Sequence, residues 1–199
     1  RLNREYKAFY FLSEHGVNTV PRAYGFDEET KIGVYDWIEG QRVTSVKTCH
    51  IDRLVLFLSQ LKELSDRPEA KNLSLAKDAC PCLADLFQLL DDRFDRLNTV
   101  SDEAVKHFVF RDCASVYGTL KKEAQEFNQS LDANALTLSP SDYGFHNALE
   151  KHDGKLCFID FEYFGWDDPV KMVSDFLWHP GQQLAGNEKE YFKKKMECV

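Results

Sequence analysis

Ser139-Pro140-Ser141-Asp142-Tyr143-Gly144-Phe145-His146-Asn147, then Ala148-Leu149-Glu150, then Lys155-Leu156-Cys157-Phe158-Ile159-Asp160-Phe161, is the stretch that decides the fold. Pro140 and Gly144 mark residues 139–146 as a loop. Asn147–Glu150 and Lys155–Phe161 predict two short strands. Asp153-Gly154 lies between them, the strongest short signal for a hairpin. A two-residue turn there sets His152 against Lys155 and, counting outward, Asn147 against Asp160. Opposed residues of an antiparallel ladder share a face, with Cβ atoms ~4.5–5.5 Å apart. The hairpin is therefore expected to bring an amide oxygen and a carboxylate together at its open end, with Leu149 and Phe158 buried on the same face. A turn longer by one residue would separate the pair.

An amide oxygen and a carboxylate suit a hard cation such as Mg²⁺, which takes oxygen ligands and keeps waters and phosphates around it. Asp142 lies on the loop that leads in. A carboxylate near a metal but not bound to it suits a base that orients a hydroxyl nucleophile. Each residue alone also has a plainer reading: Asp142 and Asn147 as turn caps, Asp160 as an acceptor for nearby amides. The combination of loop, hairpin and apolar-Ile-Asp-Phe favours the site.

Upstream, Leu2, Tyr6, Phe9, Tyr10 and Leu12 recur at helical spacing, with Gly16 as a stop. Arg22–Phe26 and Lys31–Ile38 predict a hairpin around Asp27-Glu28-Glu29-Thr30. The middle is helical. One apolar face carries Ile51, Leu54, Val55, Leu58 and Leu61, and a second carries Leu83, Leu86, Phe87, Leu90, Phe94 and Leu97. A third helical stretch, 102–130, carries Val105, Phe108, Val109, Val116, Leu120 and Phe127. Residues 66–80 read as a loop.

The chain has 199 residues, an apolar share of 43% and a net charge of -8. That aromatic, apolar content fits a folded protein. The acidic balance argues against a nucleic-acid partner. No apolar run is long enough to span a bilayer, so no membrane partner is expected. Cys80-Pro81-Cys82 lacks the usual zinc spacing. Cys113 and Cys157 read as buried small hydrophobes, and the thiols as reduced in a cytoplasmic protein. Lys193-Lys194-Lys195 reads as a solvated helix face. Arg1-Leu2-Asn3-Arg4-Glu5 does not read as a signal peptide. The chain opens and closes inside helical patterns, so it reads as a fragment.

Ser141-Asp142-Tyr143-Gly144-Phe145-His146-Asn147 with Phe158-Ile159-Asp160-Phe161-Glu162-Tyr163 resembles the catalytic and metal-binding motifs of the aminoglycoside phosphotransferase and choline/ethanolamine kinase superfamily. Asp-Phe-Glu is similar to the choline-kinase side. Arg4-Glu5 and Val34-Tyr35-Asp36-Trp37-Ile38-Glu39-Gly40 resemble its first-lobe helix and its hinge. The resemblance is strong over 139–170 and rests on helix pattern alone in the middle.

The resemblance implies an α+β, protein-kinase-like fold. Residues 1–40 would form a partial N-lobe and hinge, and 41–199 a mainly helical C-lobe with the catalytic hairpin. It implies ATP and Mg²⁺ as cofactors and a small-molecule hydroxyl as acceptor: an amino alcohol, a sugar or an aminoglycoside-like compound. Asp142 would take the hydroxyl proton. Asn147 and Asp160 would hold Mg²⁺. Glu5 would pair with a phosphate-gripping lysine, and the backbone of Asp36, Trp37 and Ile38 would meet the adenine. Pro140 stands where the family has His. Asp168-Pro169 matches a family Asp-Pro, with Met172 and Asp175 where a structural Asp is expected. The Gly-rich loop and strand lysine, which lie before this helix in the family, are not in this sequence, so the fragment is expected to bind ATP poorly.

Glu162, Trp166 and His146 are candidates for substrate contact or support. Tyr163, Phe164, Trp166 and Trp178 read either as an aromatic wall for a cationic or sugar substrate or as core. His146 reads as a phosphate contact or a solvated loop residue, and His179-Pro180-Gly181 as a turn without chemistry. A kinase-fold binding module and a metal-dependent hydrolase remain as rival readings.

Overall fold

The helical spacing of the first apolar residues is met by α1, Leu2–Glu14, which buries Ala8, Phe9, Phe11 and Leu12. The computed structural model describes residues 2–126, 136–182 and 184–199. Gly16 ends α1 with a φ of 82°, and the Val17 N–H reaches back to the Leu12 carbonyl, the wrapped-back stop that glycine makes possible. β1 (Ala23–Asp27) and β2 (Ile32–Tyr35) then pair antiparallel. Asp27 Oδ1 closes their turn by accepting from the Glu29 and Thr30 amides.

The chain divides into two compact units, one of Arg1–Lys77 with Thr137–Val199, the other of Asp78–Leu136. In the first, β3 (Gln41–Arg42) precedes α2 (Thr48–Ser65). α2 buries Ile51, Leu54, Leu58 and Leu61 as expected, with Phe57 beside them. β4 (Thr137–Ser139), β5 (Ala148–Glu150), β6 (Leu156–Phe158) and β7 (Gly165–Asp167) follow. β3, β5 and β6 form one sheet in that order, and β4 pairs with β7. α6 (Pro169–Trp178) and α7 (Gly186–Met196) complete the unit. Its core is aromatic: Phe57 stacks on Phe158 at 4.6 Å, Phe9 on Phe161 at 5.0 Å, and Phe176 meets Phe192 at 4.4 Å. Burying one such ring contributes about 2 kcal/mol.

The second unit holds α3 (Leu83–Asn98), α4 (Glu103–His107) and α5 (Ala114–Glu126), with a wide helical turn at Phe108–Cys113 between the last two. Of the helical stretch read over 102–130, residues 127–130, Phe127 among them, lie outside the described residues. The expected apolar face is corrected here. Val109 is buried, but Val116 and Leu120 are more than half exposed. A wide turn adds a residue to the helical repeat and rotates everything after it. Tyr117 and Lys121 therefore face α3, where both bond Asp91, at 2.6 and 2.8 Å.

Three other expectations change. Trp178 is no core residue: it is 74% exposed, with the Lys189 ammonium 4.2 Å from its ring centre. Cys113 is only partly buried, whereas Cys157 is fully buried, and burial pushes its thiol up to about 11. β4, β7 and the short β3 were not anticipated. Cys49, Cys82, Cys113, Cys157 and Cys198 are free thiols.

β7 lies very close to the segment before it in space. A Cβ on Gly165 would sit 2.3 Å from the Ser74 carbonyl oxygen. That approach allows Trp166 to donate to Ser74 O and Ala76 to donate to Trp166 O. Gly165→Ala is expected to cost about 3 kcal/mol, the upper part of the range for overpacking, because backbone has no rotamer to yield. A urea midpoint left unchanged would disprove the close fit.

After β7, Asp168 caps α6 by accepting from the Lys171 amide. The Lys171 ammonium bridges Asp167, fully buried, at 3.1 Å and Asp175 at 2.6 Å. Lys171→Met removes the cation that bridges the buried Asp167 to Asp175, so a loss of about 3 kcal/mol is expected in thermal or urea unfolding. Asp175 thus has a structural partner, and Met172 is buried, with its carbonyl accepting from Tyr143 Oη.

Candidate active site

The hairpin forms, but its register differs from the expected one. Ala148 pairs with Phe158, Leu149 with Cys157 and Glu150 with Leu156. Lys151 donates to Lys155 O, and Gly154 donates to Lys151 O. The loop is therefore 152–154, one residue longer than a two-residue turn, with Gly154 at a φ of 78°. A three-residue loop closed by a left-handed glycine is the next commonest hairpin. Asn147 consequently stands opposite Ile159, whose N–H it accepts at 2.9 Å. Asp160 lies one residue past that bond, turned by its own φ of 66°. Ladder pairing does not bring Asn147 and Asp160 together.

What surrounds Asp160 is acidic. Glu5, on α1, lies near the Phe161 N–H, which favours its charged form. Burial, and then the charge of Asp160, push the Glu5 carboxyl above its ordinary range, with Glu162 adding to the effect. Carboxylates from α1 and from the segment after β6 thus share one region. A cation there would relieve their mutual repulsion. Oxygen donors of this kind fit Mg²⁺ rather than a soft metal. Arg4 anchors α1 through its guanidinium to the Leu75 and Phe164 carbonyls.

The loop carrying Asp142 is held at many points. Ser139 Oγ accepts from the Ser141 amide, and Ser141, at a φ of 67°, donates through Oγ to Lys77 O. Asn147 Nδ2 donates to Asp142 O at 3.0 Å, which leaves its amide oxygen open as a ligand. The Asp142 side chain is partly exposed and has two histidines against it. His146 Nε2 lies 2.9 Å and His179 Nε2 3.3 Å from the same oxygen, Oδ1. The two imidazoles stack at 4.3 Å with planes 1° apart. Gln182, buried, lies 2.7 Å from His146 Nδ1. Burial, and then His146, lower the pKa of His179.

His146 is thus tied to Asp142 rather than solvated. His179, read as part of a plain turn, belongs to the same cluster, and so does Gln182. No spacing rule points to either, since both reach Asp142 through tertiary packing. Asp142, His146 and His179 also form the one group of metal-ligand type among the described residues.

The remaining candidates are placed as follows. Asp36 donates its N–H to Arg22 O, and its carboxylate accepts from the Arg22 amide and Tyr24 Oη. Trp37 is 89% exposed, and Ile38 follows it between β2 and β3. Trp166 sits in β7 with its indole N–H on Ala70 O. Phe164 is buried, as its core reading has it. No described helix is long and apolar enough to cross a membrane.

No protein-family model and no curated protein matches the chain. Solved structures do. A choline kinase from Streptococcus pneumoniae matches with a TM-score of 0.63 at 19% identity over 98% of this chain and 62% of its own. The AMP-bound complex of a spectinomycin phosphotransferase matches with a TM-score of 0.67 at 14% identity, over 100% of this chain and 67% of its own. An ethanolamine kinase from Plasmodium vivax gives a TM-score of 0.56 at 15% identity, over 98% and 57%. The chain therefore has the α+β, kinase-like fold that these proteins share, and it spans about three fifths of their length.

Proposed function

We propose that this chain is the greater part of an ATP- and Mg²⁺-dependent phosphotransferase acting on a hydroxyl of a small molecule: an amino alcohol, a sugar or an aminoglycoside-like compound. The observation that carries the reading is the Asp142 carboxylate. One of its oxygens is bonded by His146 and lies against His179, and the other, Oδ2, has no protein partner among the described residues. A fixed carboxylate with one open oxygen is what a general base for a hydroxyl needs. The solved neighbours support the choice of reaction. They include complexes with AMP, with ADP and spectinomycin, and with gentamicin.

In this reading Asp142 Oδ2 takes the proton of the acceptor hydroxyl. The hydroxyl oxygen bonds to the γ-phosphorus, the bond from that phosphorus to the β–γ bridging oxygen breaks, and ADP leaves. Such transfer depends mainly on position and on neutralising charge. Asn147 and Asp160 would hold Mg²⁺, with Glu162 near. The cation supplies neutralisation of phosphate charge when bound. Glu5, whose carboxyl lies among those acids, would pair with a lysine on the nucleotide. The Asp36 N–H is already used, so Trp37 and Ile38 would offer the backbone to adenine, near Gly40 at the boundary of a partial N-lobe.

The test is ADP release from Mg²⁺-ATP by the natural-length protein, with amino alcohols, sugars and aminoglycosides as acceptors. Acceptor-dependent ADP release is expected. Nucleotide binding without any turnover would favour a binding module, and Mg²⁺-dependent hydrolysis that needs no ATP would favour a hydrolase.

A further inference from the structure

We infer that Gln182 and the Gly181 amide lock both histidines as neutral Nε2–H tautomers, so that His146, braced by the stacked ring of His179, positions Asp142 by donating to its Oδ1. The inference rests on the transfer reading only in treating Asp142 as the base. It begins with the Gln182 amide, whose two ends are distinguishable here. Its oxygen accepts from the Phe145 N–H at 3.2 Å, and its nitrogen donates to Tyr143 O at 3.3 Å. The reversed amide would set oxygen against carbonyl and NH₂ against N–H, so the backbone dictates the orientation. Gly144 fits this arrangement: a Cβ there would overlap the Gln182 amide, and its φ of 140° suits glycine.

With that orientation fixed, the Gln182 nitrogen can only donate to His146 Nδ1, 2.7 Å away. A nitrogen that accepts carries no proton, so the proton of a neutral His146 is on Nε2. His179 is set in the same way by a different group. The Gly181 N–H donates to its Nδ1 at 3.1 Å. The His146 Nε2–H then donates to Asp142 Oδ1 at 2.9 Å, while His179 Nε2 lies 3.3 Å from the same oxygen. Their rings lie flat on each other, so neither ring can swing away without losing the stack. Where the related motif carries a histidine before the catalytic acid, this chain has Pro140, and the support comes from residues after it.

The alternative use of the same three side chains is a transition-metal site. A metal would need the lone pair of Nε2 on each ring, and so a proton moved to each Nδ1. The Gln182 and Gly181 donors oppose that move.

The test begins with ¹⁵N NMR of the imidazoles in the 199-residue chain. Both His146 and His179 are expected to show a protonated Nε2 and an unprotonated Nδ1. A protonated Nδ1 on either neutral ring overturns the inference. So does conversion of both Nε2 atoms to metal-bound nitrogens on adding Zn²⁺ alone, which would make the cluster a metal centre. In the natural-length enzyme, Gln182→Leu and His146→Phe should each lower kcat about tenfold with the KM for ATP unchanged. The double variant should fall no further than the worse single one, because Gln182 acts through His146. Additive losses, or losses that appear in KM and the melting temperature alone, would mean a merely structural role. Asp142→Asn with full activity would instead sink the choice of base and leave the measured tautomers standing.

Discussion

Asp142→Asn in the natural-length protein is expected to lower phosphoryl transfer about 10³-fold, within the range for loss of a positioned base. The affinity for Mg²⁺-ATP should stay within about twofold, since the lost interaction serves the transition state. Asparagine keeps the shape of the side chain and keeps one oxygen for His146 and His179, so the loop that Ser139 and Ser141 brace should hold. The chemistry changes because an amide cannot take a proton from the acceptor hydroxyl. Single-turnover transfer and nucleotide titration, run on the same sample, separate the two effects. Transfer at the parent rate would remove Asp142 from the mechanism, whatever the melting temperature does.

Asp160→Asn should produce the second large change. Nucleotide affinity in the presence of Mg²⁺ should fall by about 10²-fold, more than replacing an outer-shell group would cost. Asparagine is the useful replacement because Asp160 has a φ of 66°, a conformation that Asn tolerates and alanine does not. The backbone is thereby kept while one charge is removed. That charge is also the chief neighbour of Glu5, after burial, in raising the Glu5 carboxyl. Mg²⁺ should therefore raise the melting temperature of the parent protein and have little effect on the variant. Equal thermal shifts in the two proteins would show that Mg²⁺ is held elsewhere.

Much of this arrangement was legible in the residues. The apolar periodicity of Ile51, Leu54, Leu58 and Leu61 is met by α2, and Gly16 stops α1 where it should. The apolar strands around Asp153-Gly154 do form a hairpin. The register was not legible, because Asp-Gly serves equally in a two-residue turn and at the end of a three-residue loop, and the choice depends on packing. The expected opposition of Asn147 and Asp160 failed for that reason. The neighbourhood of Asp160 came instead from α1, through Glu5, which the resemblance had assigned only to a lysine. Val116 and Leu120 were misread because a wide turn leaves no mark in hydrophobic spacing. His179 and Gln182 were missed because residues so far apart in sequence meet only in the folded chain. Strands of three residues, such as β4 and β7, are too short to carry a pattern.

Residues 78–136 leave the first unit after Lys77 and rejoin it at Thr137, and both exits are pinned. The Lys77 carbonyl holds Ser141, and Thr137 opens β4. Everything assigned to the transfer step lies outside this excursion. The two splice points can therefore be cut without interrupting any segment that carries the residues assigned to transfer. An engineer seeking to transplant a different helical segment thus has two natural joints, each tied to the first unit by a bond or a strand.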